Sequence, residues 1–86
     1  IGASWREHGT LYIAQVIIDD TGEQIAVRRK LKPTHVERSV FGDGDGSDMK
    51  VFETGVGRLG ALNCWEHLQA INRQLMILQH EQVHAA

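Results

Sequence analysis

One residue of the chain combines a reactive side chain with a position that could activate it. Cys64, the only cysteine among 86 residues, lies where an apolar, strand-like run gives way to a helix-like run. A thiol at a helix N-terminus faces the positive end of the aligned peptide dipoles, which favours the thiolate, the form that acts as a nucleophile. The alternative is structural, because a lone cysteine often serves as a small buried hydrophobe.

Two segments of the chain resemble a known family. Residues 28–38, Arg-Arg-Lys-Leu-Lys-Pro-Thr-His-Val-Glu-Arg, resemble the segment that carries the catalytic lysine in the nitrilase branch of the carbon–nitrogen hydrolases. Residues 62–69, Leu-Asn-Cys-Trp-Glu-His-Leu-Gln, resemble the segment that carries the nucleophile of that family. The similarity runs without evident interruption from about Leu11 to Ala86. It implies an α/β chain that forms part of an αββα sandwich, incomplete in this fragment.

The resemblance also implies catalytic roles for three residues. It makes Cys64 the nucleophile, Lys30 the catalytic lysine and Glu37 an additional active-site glutamate that positions Lys30 or the substrate or assists proton transfer. Without the resemblance, Lys30 would be interpreted as part of a solvated basic run and Glu37 as an ion-pair partner of Arg38. Lys32 matches the neighbouring, non-catalytic position of the family.

Three residues directly follow the nucleophile in the sequence, namely Trp65, Glu66 and His67. We expect them to shape the substrate pocket and the start of the helix. We do not expect Glu66 and His67 to form a catalytic dyad with Cys64.

The reaction implied by the resemblance is the hydrolysis of a nitrile to a carboxylic acid and ammonia. A Cys64 thiolate would attack the nitrile carbon to give a thioimidate, while the Lys30 ammonium stabilises the negative charge that develops on nitrogen. Addition of water and loss of ammonia leave an acyl thioester, which a second water hydrolyses. A carboxylate base moves the protons. This chemistry requires no metal and no organic cofactor, and its partner is a small-molecule nitrile.

Other kinds of site are less well supported by the sequence. The acidic tract 43–48 lacks the glycine and the glutamate that an EF-hand calcium loop would need at Asp48 and Thr54. The five histidines form no zinc-binding constellation with Cys64. The basic run contains no interleaved aromatic residues and the net charge is −2, so neither a nucleic acid nor a membrane is an expected partner.

The length of the chain indicates part of a larger protein. Eighty-six residues allow one small domain or a piece of one, whereas nitrilases are much longer and use a catalytic glutamate upstream of the lysine segment. Glu7 and Glu23 are the only glutamates before that segment, and neither has matching surroundings. We therefore expect residues 1–86 to be the central fragment of a single carbon–nitrogen hydrolase domain, inactive alone, whose full-length parent forms homo-oligomers. The single cysteine and the lack of a membrane-length apolar run favour a soluble, cytoplasmic protein.

The sequence pattern predicts the elements that position these residues. Two extended runs, 11–18 and 24–31, flank turn chemistry and predict a hairpin that ends near Lys30. Residues 34–48 predict a long polar loop that ends in a flexible acidic tract. Residues 49–63 predict a second hairpin, and a strand over 81–86 completes a β-α-β unit around Cys64 with partly parallel pairing. The intervening helix is predicted over 65–79, with one apolar face made of Leu68, Ile71, Leu75 and Leu78.

Alternatives to a nitrilase stay open at this point. A cyanide hydratase has closely similar motifs and stops at the amide, whereas an amidase of the wider superfamily fits Cys-Trp-Glu-His less well. The alternative from another class is a non-catalytic scaffold or interaction piece with the same fold. The joint presence of Lys30, Glu37 and Cys64 favours an enzyme over that piece.

Overall fold

An antiparallel sheet provides the strand that leads to Lys30. A computed structural model describes residues 1–86, and strands β1 (Gly2–Glu7), β2 (Thr10–Ile18) and β3 (Gln24–Arg29) form its first sheet in that order. The predicted hairpin is confirmed, and Lys30 follows β3 directly. Strand β1 is a third strand that the pattern did not predict.

The connection from β3 to the second sheet is long but anchored. It contains a 3₁₀ helix, His35–Ser39, where the pattern predicted only a loop. The acidic tract is tied to the end of β3, because the Arg29 guanidinium donates to Asp45 at 3.0 Å and to Asp48 at 2.5 Å. The same guanidinium also donates to Glu7 at 3.1 Å. The tract is therefore held against β3, contrary to the expectation of a flexible loop.

A second sheet and a helix flank the Cys64 segment in the chain. Strands β4 (Phe52–Thr54) and β5 (Gly57–Ala61) form an antiparallel hairpin, and β6 (Val83–Ala85) pairs with β5 in parallel. Helix α1 (Ala70–Leu78) lies between β5 and β6 in the chain. The predicted second hairpin and β-α-β unit are confirmed. Two small sheets and one helix make the chain α/β, consistent with part of an αββα sandwich.

The helix after the nucleophile begins later than predicted. A second 3₁₀ helix spans Cys64–Leu68, Gln69 is extended at φ −85° and ψ 104°, and only then does α1 begin at Ala70. The interruption coincides with a tertiary contact, because Arg28 holds the Glu66 carboxylate of this stretch in the interior. The dipole of α1 therefore begins at Ala70 and not at the Cys64 thiol, which weakens the helix-terminus argument for activating that thiol.

The apolar row predicted for the helix faces outward. Leu68, Ile71, Leu75 and Leu78 are 67%, 78%, 38% and 66% exposed, whereas Asn72 and Met76 are the buried residues of α1. Met76 packs with Met49 and Leu62, and the Asn72 amide donates to the Glu66 carbonyl at 3.4 Å. These contacts orient α1, so its most apolar face is left uncovered in this chain. No helix in the chain has the length and apolar character that crossing a membrane demands.

Candidate active site

Lys30 is a buried cation whose main chain is fixed on both sides. Its amide donates to the Ile13 carbonyl at 2.7 Å, and its carbonyl accepts from the Gly44 amide at 3.0 Å. A side chain at Gly44 would place its Cβ 2.8 Å from the Lys30 carbonyl oxygen, so only glycine allows this close approach. The Lys30 side chain is 1% exposed, whereas Lys32 is 75% exposed and pairs with Asp43. The basic run is thus not uniformly solvated.

Glu37 is the partner of Lys30. The Lys30 ammonium donates to the Glu37 carboxylate at 2.6 Å and to the Thr34 hydroxyl at 3.2 Å. The same carboxylate oxygen accepts from the Thr34 amide at 2.7 Å. The hydrogen bond from Lys30, then that from the Thr34 amide, lowers the pKa of Glu37, which keeps this side chain ionised. The alternative ion pair with Arg38 does not form, since Arg38 donates instead to the Pro33 carbonyl.

Cys64 occupies an exposed and conformationally unusual position. It opens the second 3₁₀ helix with a φ of 52°, in the left-handed region that costs an L-residue about 1–2 kcal/mol. The alternative of a buried structural cysteine is therefore wrong. No hydrogen bond joins the Cys64 sulfur to the Lys30 ammonium, whose donors go to Glu37 and Thr34.

Glu66 joins the lysine segment to the cysteine segment. Its carboxylate is 4% exposed and accepts two hydrogen bonds from the Arg28 guanidinium, at 2.7 and 2.8 Å. It also accepts from the Leu31 amide and from the Asn63 amide, both at 2.7 Å. Leu31 directly follows Lys30 and Asn63 directly precedes Cys64. One buried carboxylate thus fixes the backbone next to both residues.

The two 3₁₀ helices are built in the same way. Each begins after a residue whose amide donates to the glutamate three positions later: Thr34 to Glu37 and Asn63 to Glu66. Each has a left-handed first residue at φ 52°, His35 in one and Cys64 in the other. The two glutamates then hold cations two residues apart at the end of β3, Lys30 and Arg28. Residues two apart on a strand share a face, which explains why both cations point to the same side.

A cavity of about 460 Å³ lies between the two segments. Leu31, Lys32 and Thr34 line it from the lysine side, and Trp65 and Glu66 line it from the cysteine side. Trp65 is 59% exposed, and neither Lys30 nor Cys64 is among the lining residues. His67 faces a separate cavity of about 250 Å³ between β6 and α1.

Sequence reasoning missed the importance of Arg28 and Gly44. Arg28 looked like one member of a basic run, and its burial depends on Glu66, which lies 38 positions away in the chain. Gly44 looked like one glycine of an acidic tract, and its contact with the Lys30 carbonyl is equally non-local. Of the upstream glutamates, Glu7 pairs with Arg29 and Glu23 is exposed. Neither contacts Lys30.

Comparison with known proteins covers the whole chain. The family model described as carbon-nitrogen hydrolase matches residues 1–86. Over 86 residues the chain is 58% identical to a nitrilase of Pseudomonas syringae pv. syringae and 56% identical to an aliphatic nitrilase of Rhodococcus rhodochrous. It is 49% identical over 87 aligned positions to a cyanide hydratase of Stereum hirsutum. All of this chain is aligned in each case, but only 26%, 24% and 24% of the respective relatives, so the chain spans about a quarter of their length. The match of the family model to every residue, including both segments described above, establishes that the chain belongs to the carbon–nitrogen hydrolase family.

Proposed function

We propose that the full-length protein containing this chain is a nitrilase, which hydrolyses a nitrile to a carboxylic acid and ammonia. The observation that carries the proposal is the identity of 56–58% to two nitrilases across both the lysine and the cysteine segments. Residues 1–86 would form the central part of a single carbon–nitrogen hydrolase domain. We do not expect this chain alone to be active, because it spans only about a quarter of those relatives.

In the proposed mechanism Cys64 is the nucleophile. Its thiolate adds to the nitrile carbon, and the nitrogen takes a proton to give a thioimidate. Water adds to this carbon, ammonia leaves, and the resulting thioester is hydrolysed by a second water to the acid and the free thiol. The exposure of Cys64 supports this role, because a substrate must reach the sulfur.

Lys30 is proposed to stabilise the negative charge that develops on the nitrile nitrogen. Its burial at 1% exposure supports this role, because an ammonium acts more strongly on a nearby charge where water is excluded. We assign Glu37 the positioning of Lys30. Its lowered pKa makes it a weak proton acceptor, so it is better suited to holding the ammonium than to acting as the general base.

Trp65, Glu66 and His67 are proposed to shape the substrate pocket. Trp65 and Glu66 line the 460 Å³ cavity, where Trp65 offers an apolar surface to the substrate. Glu66 acts from behind that surface through its hydrogen bonds to Arg28 and to the two backbone amides. His67 would support the Cys64 main chain, whose carbonyl lies 2.6 Å from its Nδ1.

We also propose an oligomeric state, a location and a partner for the full-length protein. We expect a homo-oligomer that works in the cytoplasm on a small-molecule nitrile, with no nucleic-acid or membrane partner and no cofactor. The uncovered apolar row supports assembly, since Ile71, Leu75 and Leu78 are exposed along α1 and Leu68 is exposed in the 3₁₀ helix before it. Sedimentation of the full-length protein would give its oligomeric state.

The experiment that tests the function uses the full-length protein with Cys64→Ala and Cys64→Ser variants. Ammonia and acid release are followed for a panel of aliphatic and aromatic nitriles, and intact mass is measured for the covalent intermediate. We expect both variants to lose turnover and the mass adduct, because a hydroxyl ionises far less readily than a thiol. Turnover retained by Cys64→Ala would refute the assignment.

Cyanide hydration is the second candidate function. The identity of 49% to a cyanide hydratase supports it less strongly than the nitrilase identities support acid formation. Amide as the main product from cyanide would favour the hydratase. Absence of turnover with every nitrile and with cyanide would favour a non-catalytic role for the fold.

A further inference from the structure

A chain of three hydrogen bonds connects β6 to the nucleophile turn. The Glu81 carboxylate lies 2.7 Å from His84 Nδ1, His84 Nε2 lies 2.9 Å from His67 Nε2, and His67 Nδ1 lies 2.6 Å from the Cys64 carbonyl oxygen. The two imidazole rings meet edge to edge, with centroids 5.1 Å apart and planes inclined at 76°. Of these contacts, the mechanism proposed above uses only the one between His67 and the Cys64 carbonyl.

The contacts fix the number of protons that the two rings must hold. The Cys64 carbonyl and the Glu81 carboxylate only accept hydrogen bonds, so each ring needs a proton on Nδ1. A neutral imidazole has one N–H, so two neutral rings would then face each other with two bare Nε2 lone pairs at 2.9 Å. Three hydrogen bonds need three protons, whereas two neutral rings supply two. A third proton, placed between the two Nε2 atoms, allows all three hydrogen bonds to form.

The surroundings favour that extra proton. The Glu81 carboxylate next to His84 supplies the compensating negative charge, and its side chain is only 14% exposed. Gly60 in β5 leaves room for it, because a Cβ at position 60 would overlap Glu81 Oε1. The other charged group that lines this cavity is Arg73 of α1, which opposes the positive charge. The direct contact with Glu81 outweighs Arg73, for which no hydrogen bond to either ring exists.

We propose that His67 and His84 bind one shared proton and that this proton holds the Cys64 main chain in its left-handed conformation. Loss of the proton removes the hydrogen bond between the two rings. The Cys64 turn is then no longer connected to β6 through these side chains. His67 and His84 are thus positioning residues for the nucleophile. The catalytic part of this inference depends on the proposed nitrilase function. The shared proton and the hydrogen-bonded connection between the Cys64 turn and β6 do not depend on it.

The proton count is tested by ¹⁵N-histidine labelling of the full-length protein. We expect nitrogen shifts that show Nδ1 protonated in both rings and one proton shared by the two Nε2 atoms at neutral pH. Exposed His80 serves as the internal reference for the nitrogen shifts. Two rings that each hold a single proton would overturn the inference.

The hydrogen-bonded connection between β6 and the Cys64 turn is tested with two variants of His84. His84→Gln keeps a neutral donor for His67 Nε2 and needs no extra proton, whereas His84→Leu removes the donor. We expect His84→Leu to exchange the backbone amides of residues 64–68 about fivefold faster, which corresponds to one net hydrogen bond of about 1 kcal/mol. His84→Gln and the control His80→Gln should exchange as the parent does. Equal rates of amide exchange in His84→Leu and His84→Gln would contradict the proposed connection.

The kinetic readout separates this inference from the proposed function. In an active enzyme, His84→Leu should lower kcat about fivefold with little change in KM, and His84→Gln should keep the kcat of the parent. A fall in kcat that His84→Gln does not rescue would contradict the positioning role. If the parent turns over no nitrile, the nitrilase proposal fails. The labelling and exchange results then still decide whether the shared proton and the connection between the Cys64 turn and β6 exist.

Discussion

Arg28 and Glu66 form a two-pronged ion pair in the interior, with guanidinium–carboxylate distances of 2.7 and 2.8 Å and exposed fractions of 0% and 4%. The pair lies between β3, which ends directly before Lys30, and the turn that begins at Cys64. Because the remaining lone pairs of Glu66 accept from Leu31 and Asn63, the carboxylate is fully engaged. The relative placement of the two segments therefore depends on one side chain.

Glu66→Gln should strongly destabilise the full-length protein. The substitution keeps the shape but leaves the buried Arg28 charge without its counter-ion, which typically costs about 3–5 kcal/mol. Thermal unfolding gives the measurement, and nitrile turnover should fall with it. The matched control is Glu53→Gln, because Glu53 is 76% exposed and its contact with Arg58 is 3.4 Å long. Similar melting temperatures for the two variants would contradict the role of the pair.

Lys30→Ala should remove turnover of nitriles, whereas Lys32→Ala should have a mild effect. The two lysines share one basic run but differ in environment, since Lys30 is buried against Glu37 and Lys32 is solvated. Steady-state kinetics with ammonia detection gives the comparison, and circular dichroism checks that both variants fold. Equal losses of activity at the two positions would point to a general effect of charge.

Gly44→Ala should lower turnover by displacing Lys30. The added Cβ would lie 2.8 Å from the Lys30 carbonyl oxygen and 3.2 Å from that of Arg29, so the backbone must move. We expect a loss of at least about tenfold in kcat, because small displacements of catalytic groups are costly. Gly2→Ala is the control, since a Cβ there meets nothing within 4 Å. Parent-like kinetics in Gly44→Ala would show that this contact does not position Lys30.

Glu37→Gln should make stability less sensitive to acid. The pKa of Glu37 in the folded chain is lowered from 4.5, chiefly by the hydrogen bond from Lys30. A carboxyl group whose pKa is lowered by folding contributes stability that is complete above its unfolded pKa and is lost as pH falls through the lower, folded value. Melting temperatures of the full-length protein measured across that acidic range should therefore fall less steeply in Glu37→Gln than in the parent. Glu23→Gln, an exposed carboxylate, should follow the parent curve.

The local pattern of the sequence predicted most strands correctly, and the reason is physical. The hairpin of β2 and β3 follows from two runs of alternating or β-branched residues around Asp19 and Gly22, all of which act over a few positions. The helix boundary was wrong because periodicity cannot register that Glu66 is held by Arg28, far away in the chain. The apolar row was predicted from spacing alone, and spacing does not show that this row faces outward. The buried residues Asn72 and Met76 determine which side of α1 faces inward.

The site could be predicted only in part. Similarity of two short segments proposes Lys30, Glu37 and Cys64, and the Lys30–Glu37 contact at 2.6 Å follows from their closeness in the chain. The turns at Thr34 and Asn63 share a capping-box spacing, with a glutamate three positions later, and sequence reasoning missed this signal. Their left-handed first residues, in contrast, follow from no residue type that the two turns share. The histidine pair was also missed, since His67 and His84 meet only when β6 pairs with β5.

The parallel pairing of β5 with β6 has a consequence for how the protein folds. Leu59 pairs with Val83, so the whole Cys64 turn lies inside a loop of chain that closes only when these distant residues meet. Closing such a loop costs entropy before any contact compensates for it, which slows parallel pairing relative to hairpins. The hairpins β2–β3 and β4–β5 can therefore form early, while the left-handed Cys64 turn is completed late. During synthesis on the ribosome, the Cys64 thiol would acquire its final geometry only after β6 has emerged.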